Sequence, residues 1–249
     1  MPAKKTLFDT TADYTGRPYR NITTLKESED LFDDLTAGYE QSSAIAAEAE
    51  IRVKRPSTLG DPKIIHRGFQ YTRAIIDYPF KIEPYLLTRF GDGTYGVWYG
   101  SLEMKTTVFE TGFHMIKAEL AVEGLDEVIV RERAVYRVYC RAILIDLRGK
   151  QKSFPKLAGS EYGFTHQIGR RIIREGHPGL IAPSVRYNGT NMVIFNPDVL
   201  SDPQLHCYLT YYFDPSTLEI KVERTVGRTW LKVDGRKWFE KQKDKTSVL

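Results

Sequence analysis

Three short stretches of the chain carry charged or hydroxyl-bearing side chains where packing alone does not ask for them. In HRGF, Arg67 stands in an apolar setting, where a guanidinium must be paired or must face a cleft. In RFGDGTYGVWYGSLEMKTTVFETGFH, Arg89 precedes a glycine-rich turn, Tyr95, Trp98 and Tyr99 lie on or beside a short strand, and Glu110 falls inside the following helix. In GLIAPSVRYNGTNMVIF, Ser184 and Arg186 end an apolar strand, and NGTN turns tightly into the next. A planar guanidinium can grip phosphate oxygens through two hydrogen bonds, and a carboxylate can stabilise positive charge as it develops. Each residue also has a plainer reading. Arg67 could be bonded to a local carboxylate, the aromatics could be core, Glu110 could be a salt-bridge partner, and Ser184 could cap a turn. Singly, none of the stretches decides the matter.

General motifs do not decide it either. RFGDGTYG lacks the Gly-Lys-Ser/Thr ending of a phosphate loop and the G-x-G-x-x-G spacing of a dinucleotide fingerprint. The five histidines (66, 114, 166, 177 and 206) show no metal-ligand spacing. Glu110 and His114 stand i,i+4 on one helix, a geometry that suits a hydrogen-bonded pair or, with further ligands, a metal. The serine of APSVR is not flanked by glycines as a nucleophile elbow requires. No metal is expected.

The elements that must position these groups follow from the pattern. Residues 1–20 are polar and turn-rich, an arm. The next segment reads as helix to Glu50: Thr24 and Glu27 have capping-box spacing, and Leu31, Leu35 and Tyr39 recur at helical intervals up to a break at Gly38. It holds eight acidic residues and one lysine from Thr24 to Glu50, which makes it a solvated face or a docking surface. KIIHRGF and VWYG read as short strands. Ser101 then caps a helix that places Val108, Gly112 and Ile116 on one face. A long strand region runs from Glu127 to Leu147 with one break. A helix near Ser160 aligns Phe164, Ile168 and Ile172 and stops at Gly176. GLIAPS and MVIFNP are strands, and CYLTYYF and LEIKVERTV make a hairpin turning at DPST. Strands and helices do not alternate regularly, so a doubly wound parallel sheet is unexpected. An α+β fold with a mostly antiparallel sheet pair is expected instead. The domain reading is a 1–60 arm and acidic helical extension, a 61–233 catalytic domain and a peripheral, basic 234–249 tail.

Composition bounds the setting. The 249 residues can bury a core, and a net charge of +4 suits a phosphate-bearing ligand without arguing for direct nucleic-acid binding. Fifteen Tyr and 12 Phe favour strands and clefts lined by flat rings. Cys140 and Cys207 lie in apolar runs and read as buried structural thiols, a disulfide being the alternative. No apolar run is long enough to span a bilayer and no signal segment is visible, so a soluble cytoplasmic protein is expected.

Taken together, the three stretches resemble the RES family, named for its Arg, Glu and Ser positions, over roughly Ile64 to Pro197. Arg67 matches the first family arginine, with Arg73 as the competing position, and Arg89 matches the second. Tyr99 matches the tyrosine, Glu110 the helix glutamate, Ser184 in APSVR the serine, and Asn191 the trailing asparagine. The resemblance implies a split, strand-rich core like that of ADP-ribosyltransferases, clasping NAD in a cleft. It implies cleavage of the nicotinamide–ribose bond by phosphorolysis or hydrolysis, with NAD as substrate, inorganic phosphate as the co-substrate of phosphorolysis, and no further cofactor. Glu110, Arg89, Tyr99 and Ser184 would be catalytic. Arg67, Arg89, Tyr95, Tyr99, Ser184 and Asn191 would hold NAD. The implied protein partner is an Xre-type antitoxin. The alternatives are a protein ADP-ribosyltransferase and, outside enzymes, an interaction module that uses the acidic helix.

Overall fold

The structure, a computed structural model, describes residues 6–23, 67–81, 83–122, 124 and 126–243. The chain divides into two compact units, one made of Met1–Thr24 with Thr72–Leu249, the other of Leu25–Tyr71. The acidic segment Thr24 to Glu50 lies outside the described residues.

The larger unit is organised by one long strand. The sequence IVRERAVYRVYCRAILID is rich in β-branched and aromatic residues. It forms β4 (Ile129–Asp146), in which Val138, Cys140, Ala142 and Leu144 are buried at the two-residue period of a strand. The expected break is instead a pair of register shifts opposite β7 (Leu200–Asp214), between Val135 and Tyr136 and between Arg137 and Tyr139; they bend the strand without ending it.

Where the strand order suggested a pair of sheets, all nine strands belong to one, in the order β2-β3-β6-β5-β4-β7-β8-β9, with β1 on β4. Here β1 is Thr11–Gly16, β2 Tyr19–Thr23, β3 Trp98–Ser101, β5 Gly179–Pro183, β6 Thr190–Ile194, β8 Glu219–Thr225 and β9 Arg228–Asp234. Pairing is antiparallel except between β4 and β5. Because β2 also pairs with β4, the circuit β2-β3-β6-β5-β4 closes on itself. A closed circuit leaves fewer free edges and curves the sheet.

Helices cover this sheet. In α1 (Arg67–Lys81), Ile75 and Ile76 pack into a cluster with Trp98, Val138, Leu144, Ile181 and Met192. In α2 (Met104–Glu119), Val108 and Ile116 pack against Val135, Tyr211, Phe213 and Val222, and Gly112 lies 3.3 Å (as a Cβ would) from Ile220. In α3 (Gly163–Arg174), Ile168 and Ile172 pack against Leu147, Leu180 and Val193, and Gly176 ends the helix at φ 75°.

Several expectations are corrected. Residues from Arg67 in KIIHRGF are helical rather than a strand; a short apolar run fits both periods, and burial of Ile75 and Ile76 with Asp77 bonded to Arg73 and Lys81 one turn either side settles it. Ser101 belongs to β3 and does not cap α2, whose N-cap position is Glu103. The arm contributes β1 and β2, and the final hairpin gains a third strand, β9. The basic tail forms α4 (Arg236–Lys243), and its Trp238 and Phe239 pack on the core. Cys140 and Cys207 are free thiols, the first buried and the second half-buried. No helix among the described residues is long and apolar enough to cross a membrane.

Candidate active site

Three elements bring Glu110, Ser184 and Asn191 together. Glu110 projects from the middle of α2, Ser184 follows the last residue of β5, and Asn191 lies in β6. Register does the placing: Asn191 sits between Ser101 of β3 and Ala182 of β5. The Asn191 amide donates to Glu110 Oε1 at 2.6 Å, and its own oxygen accepts from the buried Ser101 hydroxyl at 2.8 Å. That second bond fixes which end of the amide faces the carboxylate. Ser184 Oγ donates to the same Oε1 at 2.6 Å and accepts the backbone N–H of Arg186 and of Tyr187 at 3.1 Å each. Ser184 therefore caps a turn, as the plainer reading had it, and also anchors the glutamate.

Both donors converge on one carboxylate oxygen. Among the described residues none donates to Oε2. Neutral donors of this kind lock a carboxylate in place, at about 1.5–3 kcal/mol per charge-assisted bond, without cancelling its charge. Among the described residues, one oxygen is held and the other takes no hydrogen bond.

The turn that holds Ser184 is braced from the far side. Glu103 Oε2 accepts Thr190 N and the Thr106 hydroxyl, both at 2.9 Å. At Gly189 a Cβ would stand 2.0 Å from Thr106 Oγ1, so only glycine fits between the turn and α2.

Two arginines lie on aromatic rings, Arg89 on Tyr162 and Arg186 on Phe113. Arg89 donates from Nη1 to the carbonyls of Leu157 and Gly159, at 3.2 and 2.8 Å, and its guanidinium lies 4.8 Å from the centre of the Tyr162 ring. Arg186 sits 3.5 Å from the centre of the Phe113 ring. Burial lowers the Arg186 pKa and the like charge of Arg89 adds to that, while Glu110 and the Tyr162 hydroxyl oppose it. Arg186 thus interacts electrostatically with Glu110, Tyr162 and Arg89. Phe109, next to Glu110 on α2, stacks on Tyr187 at 4.4 Å.

Tyr95 and Tyr99, expected to touch the ligand, have their hydroxyls committed to the chain. Tyr99 donates to Thr88 Oγ1 at 3.0 Å and accepts Phe90 N at 2.9 Å; Tyr95 donates to Phe90 O at 2.8 Å. Burial raises both pKa values, that of Tyr95 to about 12. Together they hold the turn that carries Arg89. Their rings stay half-buried. The Arg67 side chain lies outside the described residues; the competing Arg73 is exposed and paired with Asp77. Two neighbours were not foreseen as site residues: Arg186, for which the Pro-Ser-x-Arg order was a visible signal, and Tyr162, for which the sequence held none. Among the described residues no cluster of three or more His, Cys, Asp or Glu could hold a metal.

The RES domain model matches residues 63–214, well over half of the chain, and the protein belongs to the RES domain family. No curated protein matches it. Among solved structures it is similar to the toxin–antitoxin complex MbcT–MbcA of M. tuberculosis, with 9% identity, a TM-score of 0.43, and coverage of 83% of this chain and 88% of that one.

Proposed function

We propose that the protein cleaves the nicotinamide–ribose bond of NAD, transferring ADP-ribose to phosphate or water, and acts as a toxin held in check by a cognate antitoxin of the Xre type. The observation that carries this reading is Glu110, fixed through one oxygen by Ser184 and Asn191, with Arg186 on the turn that Ser184 caps. Departure of nicotinamide leaves an oxocarbenium-like ribose. Glu110 Oε2, to which no described residue donates, suits the ribose hydroxyls and the developing positive charge, and it does so without reorganisation because the other oxygen is already held. A diphosphate needs cationic partners, and a guanidinium meets it with two parallel N–H groups. Arg89 is the candidate for that role, its Nη1 tied to the Leu157 and Gly159 carbonyls and its turn held by Tyr95 and Tyr99. Membership of the RES family supports an ADP-ribosyltransferase-like mode of NAD binding and the antitoxin partner.

The purified protein is incubated with NAD, with and without inorganic phosphate, and the products are separated by chromatography. Free nicotinamide with ADP-ribose 1″-phosphate or ADP-ribose is the expected result. No nicotinamide release under either condition overturns the reading, and a protein-linked ADP-ribose adduct moves it to protein modification.

A further inference from the structure

Helix α4 lies beyond the segment that the RES model matches, yet it leans on the residues around Glu110. Phe239 stacks on Phe113, with ring centres 5.2 Å apart and planes 11° from parallel. Trp238 meets Phe113 edge-on at 5.5 Å and Phe109 edge-on at 6.3 Å. Phe109 and Phe113 are one turn apart on α2 and bracket Glu110. These same two rings receive the loop after β5: Phe109 takes Tyr187, and Phe113 takes the Arg186 guanidinium.

Arg186 has no carboxylate within ion-pair distance among the described residues. An arginine side chain held by no bidentate partner keeps most of its rotamer freedom unless a flat surface confines it. Here Arg186 meets the Tyr162 hydroxyl at its tip and the Phe113 ring along its face, and a cation against an aromatic face is held most firmly where water is partly excluded. The Phe113 ring is in turn fixed by Phe239 and Trp238.

We infer that α4 is a positioning element of the site: through Phe113, its Trp238 and Phe239 set where Arg186 stands relative to Glu110 and Tyr162. The kinetic part of the test rests on the NAD-cleaving reading, and the unfolding part does not.

Four proteins decide it: wild type, Arg186→Ala, the pair Trp238→Ala with Phe239→Ala, and all three changes combined. With NAD, the α4 pair raises KM by about tenfold while kcat stays within about threefold, and adding it to Arg186→Ala costs nothing more. Keeping the rings, with Trp238→Phe and Phe239→Tyr, restores the wild-type KM. An unchanged KM in the alanine pair, or losses that multiply with that of Arg186→Ala, overturns the inference. The same four proteins are unfolded in urea. Arg186→Ala should lower the folding equilibrium constant at least about threefold less in the α4 alanine background than in wild type. Strictly additive costs would show that α4 does not hold Arg186, whatever the protein does to NAD. If wild type releases no nicotinamide, the functional reading fails and the unfolding cycle still decides the role of α4.

Discussion

The hydrogen bonds of the candidate site converge on one carboxylate oxygen. Glu110 Oε1 receives two short hydrogen bonds, and each donor is itself tied to the chain: Asn191 to Ser101, and Ser184 to the N–H groups of Arg186 and Tyr187. Ser184→Ala removes a donor from Glu110 and leaves two backbone N–H groups short of an acceptor. It should destabilise the fold by about 1–3 kcal/mol, measured by urea unfolding, and lower kcat by about a hundredfold. Full kcat in a folded Ser184→Ala protein would show that the glutamate needs no such anchor. At this scale the sequence was informative about Ser184 as a turn cap and silent about the tyrosine hydroxyls. Glu110, Ser184 and Asn191 were legible as a set through the family resemblance. Nothing in VWYG indicated that the hydroxyl of Tyr99 would be spent on Thr88 and Phe90, because that depends on how a turn folds back over its own strand.

Elements place these residues through close approaches. At Gly169 on α3 a Cβ would stand 2.1 Å from Phe90 O and 2.5 Å from the Tyr95 hydroxyl, so the turn that carries Arg89 is seated directly on the helix. Gly169→Ala must push that turn away. We expect a stability loss of about 1–3 kcal/mol and a raised KM for NAD through displacement of Arg89; an unaltered KM would separate the seat from the site. The arm before β1 is tied down electrostatically. Lys150 bonds Asp9 and the carbonyls of Thr6 and Leu7, and the hydrogen bond to Lys150 lowers the Asp9 pKa from 3.8 to about 2. A lowered carboxyl pKa stabilises the fold above the unfolded value near 4, and that contribution disappears as pH falls through about 2. Between those values wild type should therefore lose stability more steeply than Lys150→Met, as seen in thermal melts at successive pH. Parallel curves would place the arm's hold elsewhere. Helix α1 was misread from sequence because KIIHRGF fits two periods equally well, whereas α2 and α3 were readable from the runs Val108, Gly112, Ile116 and Phe164, Ile168, Ile172.

The larger unit is a curved sheet wound about β4, with the candidate site where β3, β6 and β5 meet α2. The closing of β2 onto both β3 and β4 could not be read from sequence, since it pairs residues far apart in the chain, Tyr19 with Ser101 and Asn21 with Val135, through backbone groups that every sequence shares. The strand-rich α+β class could be read, because it needs only local alternation. Burial inside this closed circuit pushes the Cys140 thiol up to about 12. In the native state it should resist iodoacetamide at pH 8 and react only on unfolding; rapid native labelling, seen by mass spectrometry, would mean that the circuit opens. The C-terminal aromatics packed on α2 likewise lay hidden in a stretch that reads as a charged tail, because Trp238 and Phe239 gain their meaning only from Phe113.

The claim on which all of this depends is that Glu110 acts on bound NAD. Nicotinamide release is followed for wild type and for Glu110→Gln, a near-isosteric change that keeps the size and removes the charge, with folding of both proteins checked by circular dichroism. We predict that the variant folds like wild type, still binds NAD in calorimetry, and loses at least about a thousandfold in kcat. Turnover by a folded Glu110→Gln protein at the wild-type rate would contradict the account.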